Sequence, residues 1–199
     1  LMAFWTDSTG QDPKRQFRFL VTIGNMPNGA VWFAKKAEKP GFSITEIKHS
    51  YLNHNFYYPG RVDWKPISIT LVDPVSPDAV ANTLSIIGGS GYRVPKTMAT
   101  NPENTTTISK AASVFALGGV VIQQIDAQGT AIETWSLNGA FITDVGYSGL
   151  DYGTDELVEV TLKFRYDWAD CVTANNAEGV AGPVNDFFKL GTAIGSGAP

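Results

Sequence analysis

An antiparallel, mostly β chain is the fold class this sequence predicts, a barrel or sandwich with one flanking α-helix. Three observations lead there. Apolar and polar residues alternate with a period of two in run after run. A single segment carries helical spacing behind capping residues. Glycine, proline and asparagine clusters separate the runs.

The first run is Phe17, Phe19, Val21 and Ile23, interleaved with Arg18, Leu20 and Thr22. Strands are expected next at Val31–Lys36, Ser43–Lys48 and Asn53–Tyr58. Ile67, Ile69 and Leu71 alternate with Ser68, Thr70 and Val72. The helix is expected over about 77–88. Ser76-Pro77-Asp78 offers an N-cap, a first-position proline and a first-turn acid. Val80, Leu84 and Ile87 follow at three- and four-residue spacing, and Gly88-Gly89-Ser90-Gly91 ends the element. A long loop is expected over about 91–113, because Val94–Thr107 is rich in Thr, Asn and Pro. A strand follows at Val114–Ile125. Trp135, Leu137 and Phe141 share one parity. The longest alternation sets Val158, Val160, Leu162, Phe164, Tyr166 and Trp168 against Glu159, Thr161, Lys163, Arg165 and Asp167, as a half-buried antiparallel strand requires. The organisation expected is one domain over 1–171 with an N-terminal arm of about 1–14, then a Gly/Ala-rich extension over 172–199. In that extension only Val184–Leu190, with Phe187 and Phe188, offers an apolar anchor.

Composition excludes several classes. Of 199 residues, 43% are apolar and 17% charged, with 15 Lys+Arg against 19 Asp+Glu and a formal charge of −4. A disordered chain has fewer apolar groups and more net charge, and a sequence-reading nucleic-acid binder has an excess of cations. No window approaches the ~18 consecutive apolar residues of a membrane-spanning helix. One cysteine, Cys171, leaves no intramolecular disulfide and no multi-cysteine zinc site. Leu1 to Lys14 lacks the basic start and apolar run of a secretory leader, so synthesis in a reducing cytoplasm is expected.

The pattern predicts no catalytic, cofactor-binding or metal-ligating residues. His49 and His54, five apart on a strand, point to opposite faces unless a turn intervenes. Cys171 reads as an inert thiol just past the last strand. Gly88–Gly91 follows a helix, whereas a phosphate cradle opens one. Asn104-Thr105-Thr106 matches a glycosylation sequon but reads as loop. The informative stretch is Tyr51-Leu52-Asn53-His54-Asn55-Phe56-Tyr57-Tyr58-Pro59-Gly60, with four aromatics in eight residues and Pro-Gly turn chemistry at its end. Core burial, a stacking loop for a substrate and a hairpin buried on a neighbour all fit it. Core burial stays open; of the other two, with no polar catalytic set beside the rings, the interface is favoured over the stacking loop, through Tyr51, Asn53, Phe56, Tyr57 and Tyr58.

Several pieces, in order, resemble the major tail tube protein family of contractile-tailed (T-even-like) bacteriophages. The first is Phe33-Ala34-Lys35-Lys36-Ala37-Glu38-Lys39-Pro40-Gly41-Phe42-Ser43-Ile44-Thr45-Glu46, similar to that family's early strand-to-strand crossing. The hairpin from Tyr51 to Gly60 then leads into Trp64-Lys65-Pro66-Ile67-Ser68-Ile69-Thr70. Trp135-Ser136-Leu137-Asn138-Gly139-Ala140-Phe141, Asp144-Val145-Gly146 and the close at Tyr166-Asp167-Trp168 complete it. The resemblance spans about 15–170. The 91–113 loop and the tail after Cys171 depart from the family pattern.

The resemblance implies a tail-tube or secretion-tube-like fold and a structural subunit without cofactors. Its hexameric rings would stack into a hollow conduit inside a contractile sheath. Implied partners are further copies of the chain, the tail sheath protein, and baseplate and tail-terminator proteins. Double-stranded DNA would pass transiently without sequence-specific binding, and the location would be the virion. A baseplate or terminator protein of the same fold is the alternative within the structural class. Outside it stands a carbohydrate-binding β-sandwich using Tyr51, Phe56, Tyr57 and Tyr58 as a sugar platform.

Overall fold

Two four-stranded antiparallel sheets face each other across the core, and a long two-stranded ribbon leaves them. The computed structural model describes residues 13–26, 34–95 and 106–173. The strands are β1 (Phe19–Ile23), β2 (Ala34–Ala37), β3 (Phe42–Tyr51), β4 (His54–Trp64), β5 (Ile67–Val72), β6 (Val120–Ile125), β7 (Ala131–Asn138), β8 (Phe141–Tyr147), β9 (Glu159–Arg165) and β10 (Trp168–Thr173). One sheet runs β1-β6-β7-β10, the other β2-β5-β9-β8, and among the described residues β3 and β4 pair only with each other. The expected β fold is therefore present as a sandwich, not as a closed barrel.

Alternation places the core. Val21, Ile23, Val120, Ile122, Leu137 and Ala169 line the inner face of the first sheet, and Ile67, Ile69, Leu71, Val160, Leu162 and Phe164 that of the second. The outer face of the second sheet carries ion pairs. Lys35 meets Glu159, Lys163 meets Asp144 at 2.8 Å, and Arg165 meets Asp63 of the ribbon at 2.8 Å. The mixed charge of β9's polar side is thus neutralised locally.

Among the described residues two helices, α1 (Ala79–Gly89) and α2 (Lys110–Leu117), pack together, with α2 against β8. The sequence pattern predicts one. Lys110–Leu117 occupies the end of the expected 91–113 loop and the start of the expected Val114–Ile125 strand. Ser109 caps it by accepting the Ala112 N–H, and Gly118, at φ +73, stops it before β6. The apolar run Val114–Leu117 is too short to separate strand from helix by period. In α1 the cap is Asp78, which accepts the Ala81 N–H at 2.9 Å; Ser76 lies outside the helix. Its buried positions are Ala79, Thr83 and Ile86, while Leu84 is exposed. Small residues there, with the Thr83 hydroxyl donating to the Ala79 carbonyl, turn the inner face one position away from the expected Val80-Leu84-Ile87 stripe.

Other differences come from turns. The expected strand through Trp168 ends at Arg165, and a half-exposed Trp168 opens β10. Trp135–Phe141 is divided between β7 and β8 at Gly139, whose φ is +64. Cys171 lies buried inside β10, not after it, and burial pushes its thiol up. Phe17 precedes β1 and is exposed. Most of the N-terminal arm, the start of the expected Val31–Lys36 strand, residues 96–105 of the expected loop with Asn104, and the extension from 174 lie outside the described residues.

Candidate functional site

The β3-β4 ribbon is the feature that the sandwich does not explain. At about 3.4 Å per residue, its eleven-residue strand reaches roughly 35 Å. Nearly every position along both strands is exposed. Ile47, Tyr51, Phe56 and Tyr58 are 45–64% exposed, and Tyr57 58%. A two-stranded ribbon alone in water is marginal, and large exposed apolar patches are uncommon on monomeric proteins.

The local sequence builds it. β-branched and aromatic residues fill both strands. The turn is Leu52-Asn53, with Leu52 at φ +49, which places Asn53 at the tip and Tyr51 opposite His54. Pro59-Gly60, expected as turn chemistry, lies within β4. Proline is tolerated there because each strand of a lone pair has an unpaired edge. The intervening turn also corrects the histidine geometry. His49 pairs with Phe56 and Tyr51 with His54, so both imidazoles share a face with the Phe56 ring, and the His54 and Phe56 centroids are 4.8 Å apart. Among the described residues no three His, Cys, Asp or Glu side chains come together as a metal site.

Of the five predicted interface residues, Tyr51, Phe56 and Tyr58 lie on one face of the ribbon and Tyr57 on the other, paired with Lys48. Asn53 is in the turn. The base of the ribbon is fixed to the body. The Phe42 and Trp64 rings meet edge-on at 5.2 Å, Trp64 lies 6.0 Å from buried Tyr166, and the Lys65 N–H donates to the Gly41 carbonyl at 2.8 Å.

A second element sets where the ribbon departs. Glu133 is buried on the inner face of the first sheet, in phase with Trp135 and Leu137. It accepts from Lys14 Nζ at 2.5 Å, Lys39 Nζ at 2.7 Å and Trp135 Nε1 at 2.5 Å. Lys39 also donates to Gln124 Oε1 at 2.5 Å. This one carboxylate ties the segment before β1 and the crossing from β2 to β3 onto a single sheet. Composition and motif reading pass over it. The available signal is an acid standing in the apolar phase of a strand.

Burial alone pushes the Glu133 carboxyl up, but the hydrogen bonds from Lys14, Lys39 and Trp135 outweigh it and hold the pKa at about 2, against 4.5 for a free side chain. A carboxyl depressed on folding contributes stability above its unfolded value and loses it as pH falls through the folded one. Acidification from pH 4.5 toward 2 is therefore expected to remove up to about 3 kcal/mol through this group. Urea unfolding of the wild type and Glu133→Gln across that range checks it. The variant is expected to start less stable and to lose less. Parallel pH curves for the two proteins would show that the clamp carries no linkage.

No protein-family model and no curated protein matches the chain. Solved structures do. The anti-feeding prophage cap (AFP tube terminating cap) aligns at a TM-score of 0.61 and 17% identity, over 87% of this chain and all of that one. The tube-sheath complex of an extracellular contractile injection system (PVC, extended state) aligns at 0.57 and 14% identity, over 84% and 99%. The anti-feeding prophage baseplate aligns at 0.56 and 18% identity, over 82% and 97%. The chain thus shares its fold, across nearly the whole length of each counterpart, with chains solved in the anti-feeding prophage and in an extracellular contractile injection system.

Proposed function

We propose that the chain is a structural subunit, without catalytic activity, of a contractile tail tube. Hexameric rings of it stack into a hollow conduit that lies inside a sheath and lets DNA pass. The observation that carries this reading is the long ribbon, apolar on both faces and uncovered by the described residues of its own chain. Such a surface is finished by neighbours. The strands at the sheet edges among the described residues, β1, β10, β2 and β8, offer backbone that a ring can pair. The shared fold supports the reading, as does the net charge of −4, since a lumen without excess cations does not retain a polyanion by counterion release.

On this reading the partners are other copies, the sheath protein, and the baseplate and terminator proteins, and the location is the assembled particle. Similarity to a cap and to a baseplate favours, as second reading, a terminator or baseplate protein of the same fold. Negative-stain imaging of the purified chain tests the first. Rings or tubes are expected, and a strict monomer at high concentration overturns it. Copy number per particle separates the two, because a tube subunit is among the most abundant components. A glycan panel tests the sugar-platform alternative. Binding that is lost in Tyr57→Ala with Tyr58→Ala would replace the structural reading.

A further inference from the structure

The ribbon carries two apolar patches on opposite faces, and the use made of them here rests on the proposed self-assembly of the chain. Directly opposed residues of an antiparallel pair share a face, and successive residues alternate. Near the base Phe42 opposes Trp64 and Ile44 opposes Val62. Toward the tip Ile47 opposes Tyr58, His49 opposes Phe56, and Tyr51 opposes His54. In β3 the change of face is written in the sequence. Phe42 and Ile44 have one parity, Ile47 and Tyr51 the other, with polar Thr45-Glu46 between.

In β4 geometry makes the change. His54, Phe56, Tyr58, Val62 and Trp64 all have one parity and would line one face of a regular strand. From the pair Ile44–Val62 to the pair Glu46–Pro59, β3 advances two residues and β4 three. The extra residue turns the outer half of β4 over. Gly60 stands at this bulge, where a Cβ would come within 2.8 Å of the Thr45 carbonyl oxygen and against its hydroxyl. The Arg61 N–H donates to that hydroxyl at 3.0 Å.

This inversion matters for stacking. Two copies stacked in the same orientation present opposite faces of their ribbons to each other. If both patches shared one face, the contact would set apolar surface against polar. With the patches inverted and successive copies offset along the ribbon, the tip patch of one copy meets the base patch of the next. The base also holds a pocket of about 270 Å³ lined by Phe42, Val62, Trp64, Trp168 and Ala169, none of them charged. It is smaller than the roughly 300–1,000 Å³ of small-molecule sites and suits a single ring. At about 150–250 Å² per aromatic ring, with about half of each exposed, the two patches together offer on the order of 1,000 Å², near the lower end for a specific interface.

We propose that the pocket at the ribbon base receives an aromatic ring, Phe56 or Tyr58, from the ribbon tip of a second copy of this chain. The contact joins two different patches, so it is heterologous and repeats from copy to copy. Disulfide trapping in the full chain tests it, with Phe56→Cys at the tip and Val62→Cys at the base. Cys171 is retained because it is buried. The two variants are mixed in equal amounts, assembled, oxidised and run on a non-reducing gel. A cross-linked dimer is expected in the mixture and is expected to be lost when either variant is assembled alone. Tyr58→Cys with Trp168→Cys provides an independent pair.

Negative-stain images of the same samples and of the wild type separate the outcomes. Rings or tubes with no tip-to-base link from either pair overturn the pairing while leaving self-assembly standing. So does a tip-only sample that links as strongly as the mixture. A wild type that forms no assemblies overturns self-assembly and the pairing with it.

Discussion

Leu162→Asp is expected to leave no folded subunit. Leu162 is fully buried at the middle of β9, opposite Ile69 of β5 and Val145 of β8. A carboxylate there has no described cation within the core to pair with, and it replaces a side chain that helps join the two inner faces. Burying an unpaired charge and deleting the packing together cost about 5 kcal/mol or more, against a total stability of about 5–15 kcal/mol for a domain of ordinary size. Far-UV circular dichroism and gel filtration read the result. A folded, soluble Leu162→Asp protein would show that β9 is assigned to the wrong face. Lys163→Ala, one residue on, supplies the contrast. It removes an exposed, solvent-screened pair with Asp144 and should fold normally.

Phe56→Asp together with Tyr58→Asp is expected to do the opposite, preserving the subunit and abolishing the polymer. Both rings stand on the exposed tip, so the monomer loses only cross-strand contacts of about 0.2–1 kcal/mol each. Each copy would then have to bury two unpaired carboxylates in the proposed interface, and a buried charge without its partner costs about 3–5 kcal/mol. Thermal unfolding should shift by a few degrees, while sedimentation should show subunits that no longer assemble. Tubes of normal length would remove the ribbon from the stacking contact. Replacing Tyr57 instead of Tyr58 gives a useful second variant, because Tyr57 lies on the other face of the ribbon, beside Lys48. It should disturb assembly less than Tyr58.

Where a strand buries one face and is long enough to show its period, the sequence is legible. β1, β5 and β9 bury the parity expected of them, because a slip of one residue would expose every apolar side chain at once. The aromatic stretch 51–58 is likewise visible in the sequence, and its rings stay exposed in the fold. Chain reversals are harder to read. Tyr166 continues the apolar phase of β9, yet Trp168 begins the next strand, and alternation by itself does not reveal the turn between them. The same holds for Gly139 between β7 and β8. The histidines fall on opposite faces only if the ribbon turns at Pro59-Gly60, and the chain turns instead at Leu52-Asn53.

Local chemistry therefore settled the class of the fold, the position of α1 and which strand faces are wet, since those follow from the spacing of side chains along a few residues. It also singled out the ribbon's rings, which the described fold leaves exposed. Tertiary structure decided the rest. Lys14, Lys39 and Glu133 are far apart in the chain and meet only when the sheet forms. The two patches of the ribbon are set apart by one extra residue in β4, which has meaning only against its partner strand. Both depend on which backbone lies opposite which, and long-range pairing of that kind is not encoded in the neighbours of any single residue.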